Sequence, residues 1–577
     1  MKTLPYVLLI SMCLTKSLAD VELGDSFFSP LDEDKKVKLY WNISTANKEI
    51  YFTVEAQTTG WVGFGISSGQ GRMAGADIVI GWVKDGKPYF KDRHADGHMT
   101  PQIDSQQNYE LISLLESDGK TTMKFKRKFE TCDPEDNAVQ EGTTKLIYAF
   151  HPDDPSSEDN IPAHDFKSRG ARSVLLLNTI DDIPKLPDDT KTFNFTANKT
   201  TLPTKRTIYY YRVFEFPKFQ KRHDIIQVDP IIQEGNEGVV HHMLLYECSD
   251  DFPRSNLSYE GTLDSPGMPP AVEQCAGPSM IAGWAIGGQS FYYPEHVGLS
   301  IGEHDSPKIA VLEIHYDNYE SKAGIIDSSG LRFHYTSQLR KYRAAMLSIG
   351  LRVPGYLYIP PNQDNWITEG YCAEECTAEG LKGSTLPDGG IRIFSAALHT
   401  HLAGHAAYTR HVRKGVELPE IIRDDHYDFN FQEFQVPREE VTVLPGDSLI
   451  TVCKYLSGEK MITDGLGTDK EMCLSFLAYY PKLNLTRCWS SYKPAFKKFQ
   501  KAFVNVPGGW KGWTDKLASE LRKSYQETDE IYAYCSVGNG NPLPGFRKTQ
   551  LSKPVINTPL KKEPECEEIT SSYDKLA

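Results

Sequence analysis

Residues 391–411 read IRIFSAALHTHLAGHAAYTRH. The opening run is apolar and rich in β-branched and aromatic side chains, which predicts a strand, and Gly404 breaks it before AAYTRH begins another. Four of the chain's 16 histidines, His399, His401, His405 and His411, fall in this one stretch. Side chains two apart on a strand share a face, so His399 and His401 can converge on one ion. His405 follows the break in register and, with His411, is read as an ordinary polar residue. Imidazole serves copper, zinc, iron and nickel alike. On its own the stretch therefore leaves open a zinc hydrolase, a copper redox centre, and a strand whose histidines hold no metal.

The strand signature recurs on both sides. Downstream lie HYDFNFQEFQV, DSLITVCKY and MCLSFLAYYP; upstream, from Thr207, come IYYYRVFEF, HDIIQVDPII, GVVHHMLLYEC, KIAVLEIHYDN and GLRFHYT. The two sets are parted near 355–390 by VPGYLYIPPNQDN and LPDGG. Residues 36–150 carry shorter alternating runs, among them VKLYWNIS, EIYFTVEAQ, GWVGFGIS and ADIVIGWV. The acidic, Pro-rich stretch 151–190 reads as a linker. From about residue 490 helical character mixes with a Pro/Lys/Glu-rich tail. Short strands between turn residues predict an all-β chain: an N-terminal β-sandwich, two tandem antiparallel, jelly-roll-like sandwiches, and a short C-terminal tail.

Composition sets further bounds. A chain of 577 residues is too long for one ordinary domain. A net charge of −14 with no basic stripe speaks against nucleic acid as a partner. The opening MKTLPYVLLISMCLTKSLAD has a positive end, a short apolar run and a small-residue cleavage site, and predicts a secretory signal peptide over 1–19. That run is too short to span a bilayer, no later segment is apolar enough, and the polar C-terminus lacks a lipid-anchor signal. The expectation is a protein without a membrane anchor, secreted or held in the secretory-pathway lumen. Of 11 cysteines, Cys13 leaves with the signal, and the ten that remain suit disulfides in an oxidising compartment. Asn42, Asn194, Asn198, Asn256 and Asn484 begin Asn-x-Ser/Thr sequons and are candidate glycosylation sites.

A second histidine cluster is His241-His242 in GVVHHMLLYEC. Adjacent strand residues face opposite ways, so these two share an ion only where the backbone bends or the rings turn back. His315 sits in the apolar strand AVLEIHYDN, where a lone histidine serves equally well as a hydrogen-bonded core residue. Taken in order, HHMLLYEC, EIHYDN, HTHLAG and EMCLSFLAYYP resemble the copper type II, ascorbate-dependent monooxygenases, the family of dopamine β-hydroxylase. The resemblance covers about residues 35–570, because GWVGFGIS and MAGADIVIGWV look like a DOMON domain ahead of the catalytic core. It implies a DOMON domain over 35–150, a linker over 151–195, and copper monooxygenase N- and C-terminal domains over 196–360 and 361–535. A tail over 536–577 would be tied back by a disulfide.

The resemblance also implies two coppers per chain, with ascorbate as reductant and O2 and a small molecule as substrates. His241, His242 and His315 match the electron-relaying copper site, and His399, His401 and Met472 the site where oxygen and substrate react. A thioether is a poor zinc ligand and a good partner for Cu(I), so Met472 favours copper. His399 and Tyr209, in TIYYYRV, match positions with a catalytic role in the family. The implied disulfides are Cys132–Cys566, Cys248–Cys275, Cys372–Cys488, Cys376–Cys535 and Cys453–Cys473. One further family disulfide has no counterpart, since Tyr211 stands where a cysteine is expected and YEGTLDSPGMP holds no partner.

Departures bear on the substrate. Ala397 stands where peptide-amidating relatives carry a carboxylate-binding arginine, and Phe476 where they carry a tyrosine. A small aromatic amine or other apolar molecule fits better than a peptide, with Glu247 as a candidate amine partner. Met73 with His94, His98 or His151 could be proposed as haem ligands in the first domain, although GRMAGAD reads well as a turn. The expected function is hydroxylation of an aliphatic C–H. The rivals are a secreted, non-catalytic copper-binding protein and a zinc hydrolase, for which Met472 stands in the wrong place.

Overall fold

Alternation decides the first layer. In the strand Val37–Ser44, Val37, Leu39 and Trp41 are buried while their neighbours are not, and Glu49–Ala56 buries Ile50, Phe52 and Val54 in the same way. With Phe27–Pro30, Lys120–Lys128 and Glu110–Ser117 these strands form a five-stranded sheet. Phe52, Phe64 and Phe125 meet at ring distances of 5.3–5.8 Å and fill the space above it. Val62–Ser67 and most of Ala76–Lys84 are buried on both faces, as inner strands of a sandwich must be. Each fully buried Leu, Ile or Phe contributes about 1.5–3 kcal/mol. Arg127 is fully buried with Asp77 and Tyr109, both of which accept from its guanidinium.

The computed structural model describes residues 27–561 and 566, apart from 33, 70, 179–182, 264–266, 278, 305, 503–512, 539–540, 545 and 547–549. The signal peptide expected over 1–19 and most of the tail beyond 561 lie outside the described residues. Strands make up 48% of the structure and helices 7%. The chain divides into two compact units, one comprising residues up to 65, 77–136 and 148–170, the other 66–76, 137–147 and 171 onward. Among the described residues no helix is long and apolar enough to cross a membrane.

In the second unit eight strands position the site: β1 (Thr207–Glu215), β2 (Val240–Glu247), β3 (Ile309–Asp317), β4 (Ala345–Leu351), β5 (Ile391–His399), β6 (Leu474–Tyr480), β7 (Leu485–Ser491) and β8 (Glu530–Val537). One sheet runs Glu260–Thr262, β1, β3, β2, Met280–Ala285. Another runs Val441–Val443, β5, β6, β4, β7, β8, Gln550–Ser552. Ladders are antiparallel except for pairs such as β4 with β7. In β3, Leu312, Ile314 and Tyr316 alternate with Val311, Glu313 and His315. The alternation leaves Glu313 and His315 together on one face.

The stretch 151–195, expected as a linker, is not strandless. Arg169–Leu175 is a strand, and Lys191–Thr196 pairs in register with Gly330–Thr336. Its DDIPKLPDD composition hid two short extended segments. Cys248–Cys275, Cys372–Cys488, Cys376–Cys535 and Cys453–Cys473 are bonded, and Cys132 and Cys566 are disulfide-bonded as well. Of the sequon asparagines, Asn194, Asn198 and Asn484 are exposed and Asn42 and Asn256 half-buried.

Candidate metal centre

The first histidine cluster grows out of a bulge. Along the β2–β3 ladder Val240 faces Tyr316, but His242 faces His315, so an extra residue is accommodated at His241. A bulge bends its strand and re-aims side chains, and here it lifts the restriction that strict alternation places on adjacent histidines. His241 Nδ1 lies 3.2 Å from His242 Nδ1. The ring nitrogens offered by His241, His242 and His315 all lie within 4.8 Å of one another. All three residues are buried, and neither ring nitrogen of His315 has a hydrogen-bond partner. Burial, and then the neighbouring imidazoles, hold His241 and His315 well below the usual histidine range. His242 is pushed down to about 3 by the same causes.

Two aromatic rings brace this cluster. Phe429 stacks on His241 at 4.1 Å, and its carbonyl lies 3.1 Å from His241 Nε2. Tyr209 stacks on His315 at 4.5 Å and donates its hydroxyl to the Leu466 carbonyl at 2.7 Å.

The second cluster is built differently. β5 ends at His399, so His401 lies in the following turn and not, as expected, on the same strand. Glu471 shapes that turn: its carboxylate accepts the backbone N–H groups of His401 at 2.8 Å, Ala403 at 2.7 Å and Met472 at 3.2 Å. Burial pushes Glu471 up to about 8 despite these donors. The His399 and His401 rings stand 5.2 Å apart and nearly perpendicular. His399 Nδ1 bonds Gln432 Oε1 at 2.7 Å, and His401 Nδ1 lies 3.2 Å from the Lys470 carbonyl. Engaging one ring nitrogen orients the other toward a further partner, and His401 Nε2 is buried without one.

Met472 adjoins Glu471 and is pinned twice. Tyr455 donates its hydroxyl to the Met472 carbonyl at 2.7 Å, and the next residue, Cys473, is bonded to Cys453. His405 sits at a bulge between Gly404 and Ala406, outside both clusters, and His411 pairs with Asp447 at 2.7 Å. In the first unit His94 bonds Asp104, and His151 stacks on Trp61 at 6.5 Å.

A cavity of about 770 Å³ is lined by His242 from the first cluster and by His399 and Met472 from the second. The His242 and His399 rings are 5.9 Å apart. Much of the wall is apolar, including Leu244, Trp284, Phe434, Leu474 and Phe476. Ala397 lines it too, paired in register with Phe476. Two acids line this space, Glu273 and Glu313, neither of them singled out from the sequence; Glu247 is not among the described residues lining it. Glu313 accepts from the Tyr211 and Tyr246 hydroxyls, lies 3.7 Å from His242 Nε2, and is pushed up by burial to about 7. Its place two residues before His315 was the available signal, since a strand puts both on one face.

These residues fit copper. The first cluster offers buried imidazoles whose protonation is disfavoured, with both ring nitrogens of His315 unpartnered, and the second couples imidazole to a thioether, a donor set suited to the reduced ion.

Comparison with known proteins agrees. Residues 193–323 match the N-terminal domain, and 342–501 the C-terminal domain, of copper type II ascorbate-dependent monooxygenase, and residues 33–151 match the DOMON domain. The chain is 42% identical over 466 residues to DBH-like monooxygenase protein 1 of Mus musculus, covering 80% of this chain and 74% of that protein. It is 36% identical over 499 residues to dopamine beta-hydroxylase of Canis lupus familiaris, covering 86% of this chain and 78% of that protein. The chain belongs to the copper type II ascorbate-dependent monooxygenase family. It is thus an oxidoreductase of a family that uses copper and ascorbate, which sets aside the zinc-hydrolase reading.

Proposed function

We propose that this protein hydroxylates an aliphatic C–H of a small, aromatic, amine-bearing substrate with O2 and ascorbate, in the secretory-pathway lumen or outside the cell. His241, His242 and His315 would hold the copper that relays electrons, and His399, His401 and Met472 the copper beside the substrate. Bound copper supplies the one-electron chemistry and the activation of oxygen. The chain's own residues do the rest. Gln432 and the Lys470 carbonyl fix the two second-cluster rings, and Tyr209 holds His315 by stacking. Leu474, Phe476, Trp284 and Phe434 offer an aromatic substrate a dry, apolar wall, and Glu313 places an acceptor where an ammonium would sit.

The observation that carries this reading is the single cavity touched by His242, His399 and Met472. The test is to purify the secreted protein, count bound copper, and follow ascorbate-dependent oxygen uptake with arylalkylamines. Two coppers per chain and amine-dependent uptake support it. Bound zinc, or uptake indifferent to Met472→Ala, overturns it. Glu313→Gln should raise KM for amines by about 10-fold, the scale of one charge-assisted hydrogen bond, and leave the corresponding alcohols unchanged. A loss shared equally by alcohols would remove Glu313 from amine recognition.

A further inference from the structure

The sheet face that carries His399 continues away from the histidines. Register places Ala397 beside Phe476, Phe476 beside Ser348, Ser348 beside Arg487, and Arg487 beside Ser536. The adjoining row runs His399, Leu474, Gly350, Trp489, Tyr534. With strands about 4.8 Å apart, β7 lies about 14 Å across the sheet from β5. Arg487, Trp489 and Tyr534 nevertheless line the same cavity as His399.

Two guanidinium groups stand at this far end. Arg487 is half-buried; it lies over the Trp489 ring at 4.7 Å and donates to Ser536 Oγ at 3.3 Å, while its buried Nε has no partner. Arg352, exposed, lies over the Tyr534 ring at 4.5 Å. Among the described residues neither forms an ion pair. The charge acting on Arg487 is the like charge of Arg352, which, after burial, helps push that guanidinium down to about 10. The carboxylates lining the cavity, Glu273 and Glu313, come from other elements, a short helix (Pro270–Cys275) and β3. A partly buried cation held without a counter-charge is costly unless an anion completes it. In a chain of net charge −14, the half-buried Arg487 and the exposed Arg352 thus bring to one cavity two guanidinium groups without a carboxylate partner among the described residues.

We propose that Arg487 and Arg352, with Trp489 and Tyr534 beneath them, form a subsite for a small organic anion, either a carboxylate carried by the substrate or the ascorbate reductant. The inference rests on the reading of this cavity as the substrate site. The subsite supplies from β7 the cation that Ala397 does not supply on β5. A planar guanidinium binds a carboxylate or an enediolate through paired N–H donors, and ring faces suit both the guanidinium and an aryl group.

The test is binding, not turnover. Copper(I)-loaded protein under anaerobic conditions is titrated with 3-phenylpropionate, 3-phenylpropanol and 3-phenylpropylamine, followed by tryptophan fluorescence and calorimetry. The carboxylate should bind at least about 10-fold more tightly than the alcohol, the scale of a charge-assisted pair. Arg487→Leu should remove that preference, Arg487→Lys should restore part of it, and alcohol binding should change less than about twofold. Ascorbate is then tested as a competitor. Displacement that weakens in Arg487→Leu assigns the subsite to the reductant, and its absence assigns it to a substrate carboxylate. If Arg487→Leu fails to fold, exposed Arg352→Gln should still lower the carboxylate preference by about threefold. Equal binding of carboxylate and alcohol by the wild-type protein, or a preference that survives loss of both arginines, overturns the proposal. A protein that binds the carboxylate but consumes no oxygen would instead overturn the proposed function alone.

Discussion

The two histidine clusters hold the same kind of side chain by opposite means. The first lies within one sheet, on neighbouring strands β2 and β3, and needs only a bulge at His241 to turn three rings inward. The second is collected from the end of β5, the turn after it, and Met472, which lies 71 residues beyond His401 (472 − 401). It is held by Glu471, Gln432 and the Cys453–Cys473 bond. A site drawn from a ladder inherits the rigidity of the sheet. A site drawn from a turn must be supported by side chains that touch no metal, and its failures should begin with them.

The strongest test of that contrast removes the proposed ligands. His399→Ala, Met472→Ala and His315→Ala should each cost one copper and lower ascorbate-dependent oxygen uptake by more than about 100-fold, beyond the 10–100-fold expected from losing a supporting residue. Copper counting by mass spectrometry, alongside an oxygen electrode, reads both. A substitution in one cluster that empties the other would show that they are one unit. Next comes the support itself. Glu471→Ala should weaken copper binding at the second cluster by about 10–100-fold and leave the first unchanged. X-ray absorption at the copper edge would show the sulfur contribution fall; equal losses at both clusters would end the contrast. The smallest effect is expected in the first cluster. Phe429→Leu removes one stacked ring but keeps the backbone carbonyl facing His241, so copper affinity there should drop only about 3–10-fold, as for one aromatic contact.

Much of this was legible from the amino acids. Strand periodicity placed HTH and HH in β-structure, and it is a backbone property that local sequence encodes. Other features are set by what lies across a ladder. The bulge at His241 depends on how β2 meets β3, so the HH pair alone left its geometry open. His401 leaves the strand because Glu471, far along the chain, offers its backbone a different acceptor. Glu313 looked like any strand glutamate, and the hydroxyls it accepts from, Tyr211 and Tyr246, lie on the neighbouring strands β1 and β2. Arg487 and Trp489 acquire meaning only from the strand order β5, β6, β4, β7, β8. The stretch 151–195 holds short strands that its composition did not announce, because an acidic, Pro-rich segment can still pair with partners elsewhere.

The Cys453–Cys473 bond has a consequence for the order in which the protein matures. It ends one residue from Met472, so the backbone that presents the thioether is held in part by an oxidative event, alongside Tyr455 and Glu471. The His241, His242 and His315 cluster stands farther from a disulfide, with Cys248 of the Cys248–Cys275 bond six positions beyond His242 (248 − 242). A chain made where thiols stay reduced should therefore load the three-histidine cluster and hold copper poorly at the other, a half-loaded protein that copper counting after synthesis with and without an oxidising fold catalyst would reveal. On the proposed ligand set, thiol oxidation would then act as a licence for the second metal, and a complete centre would form only where that oxidation occurs.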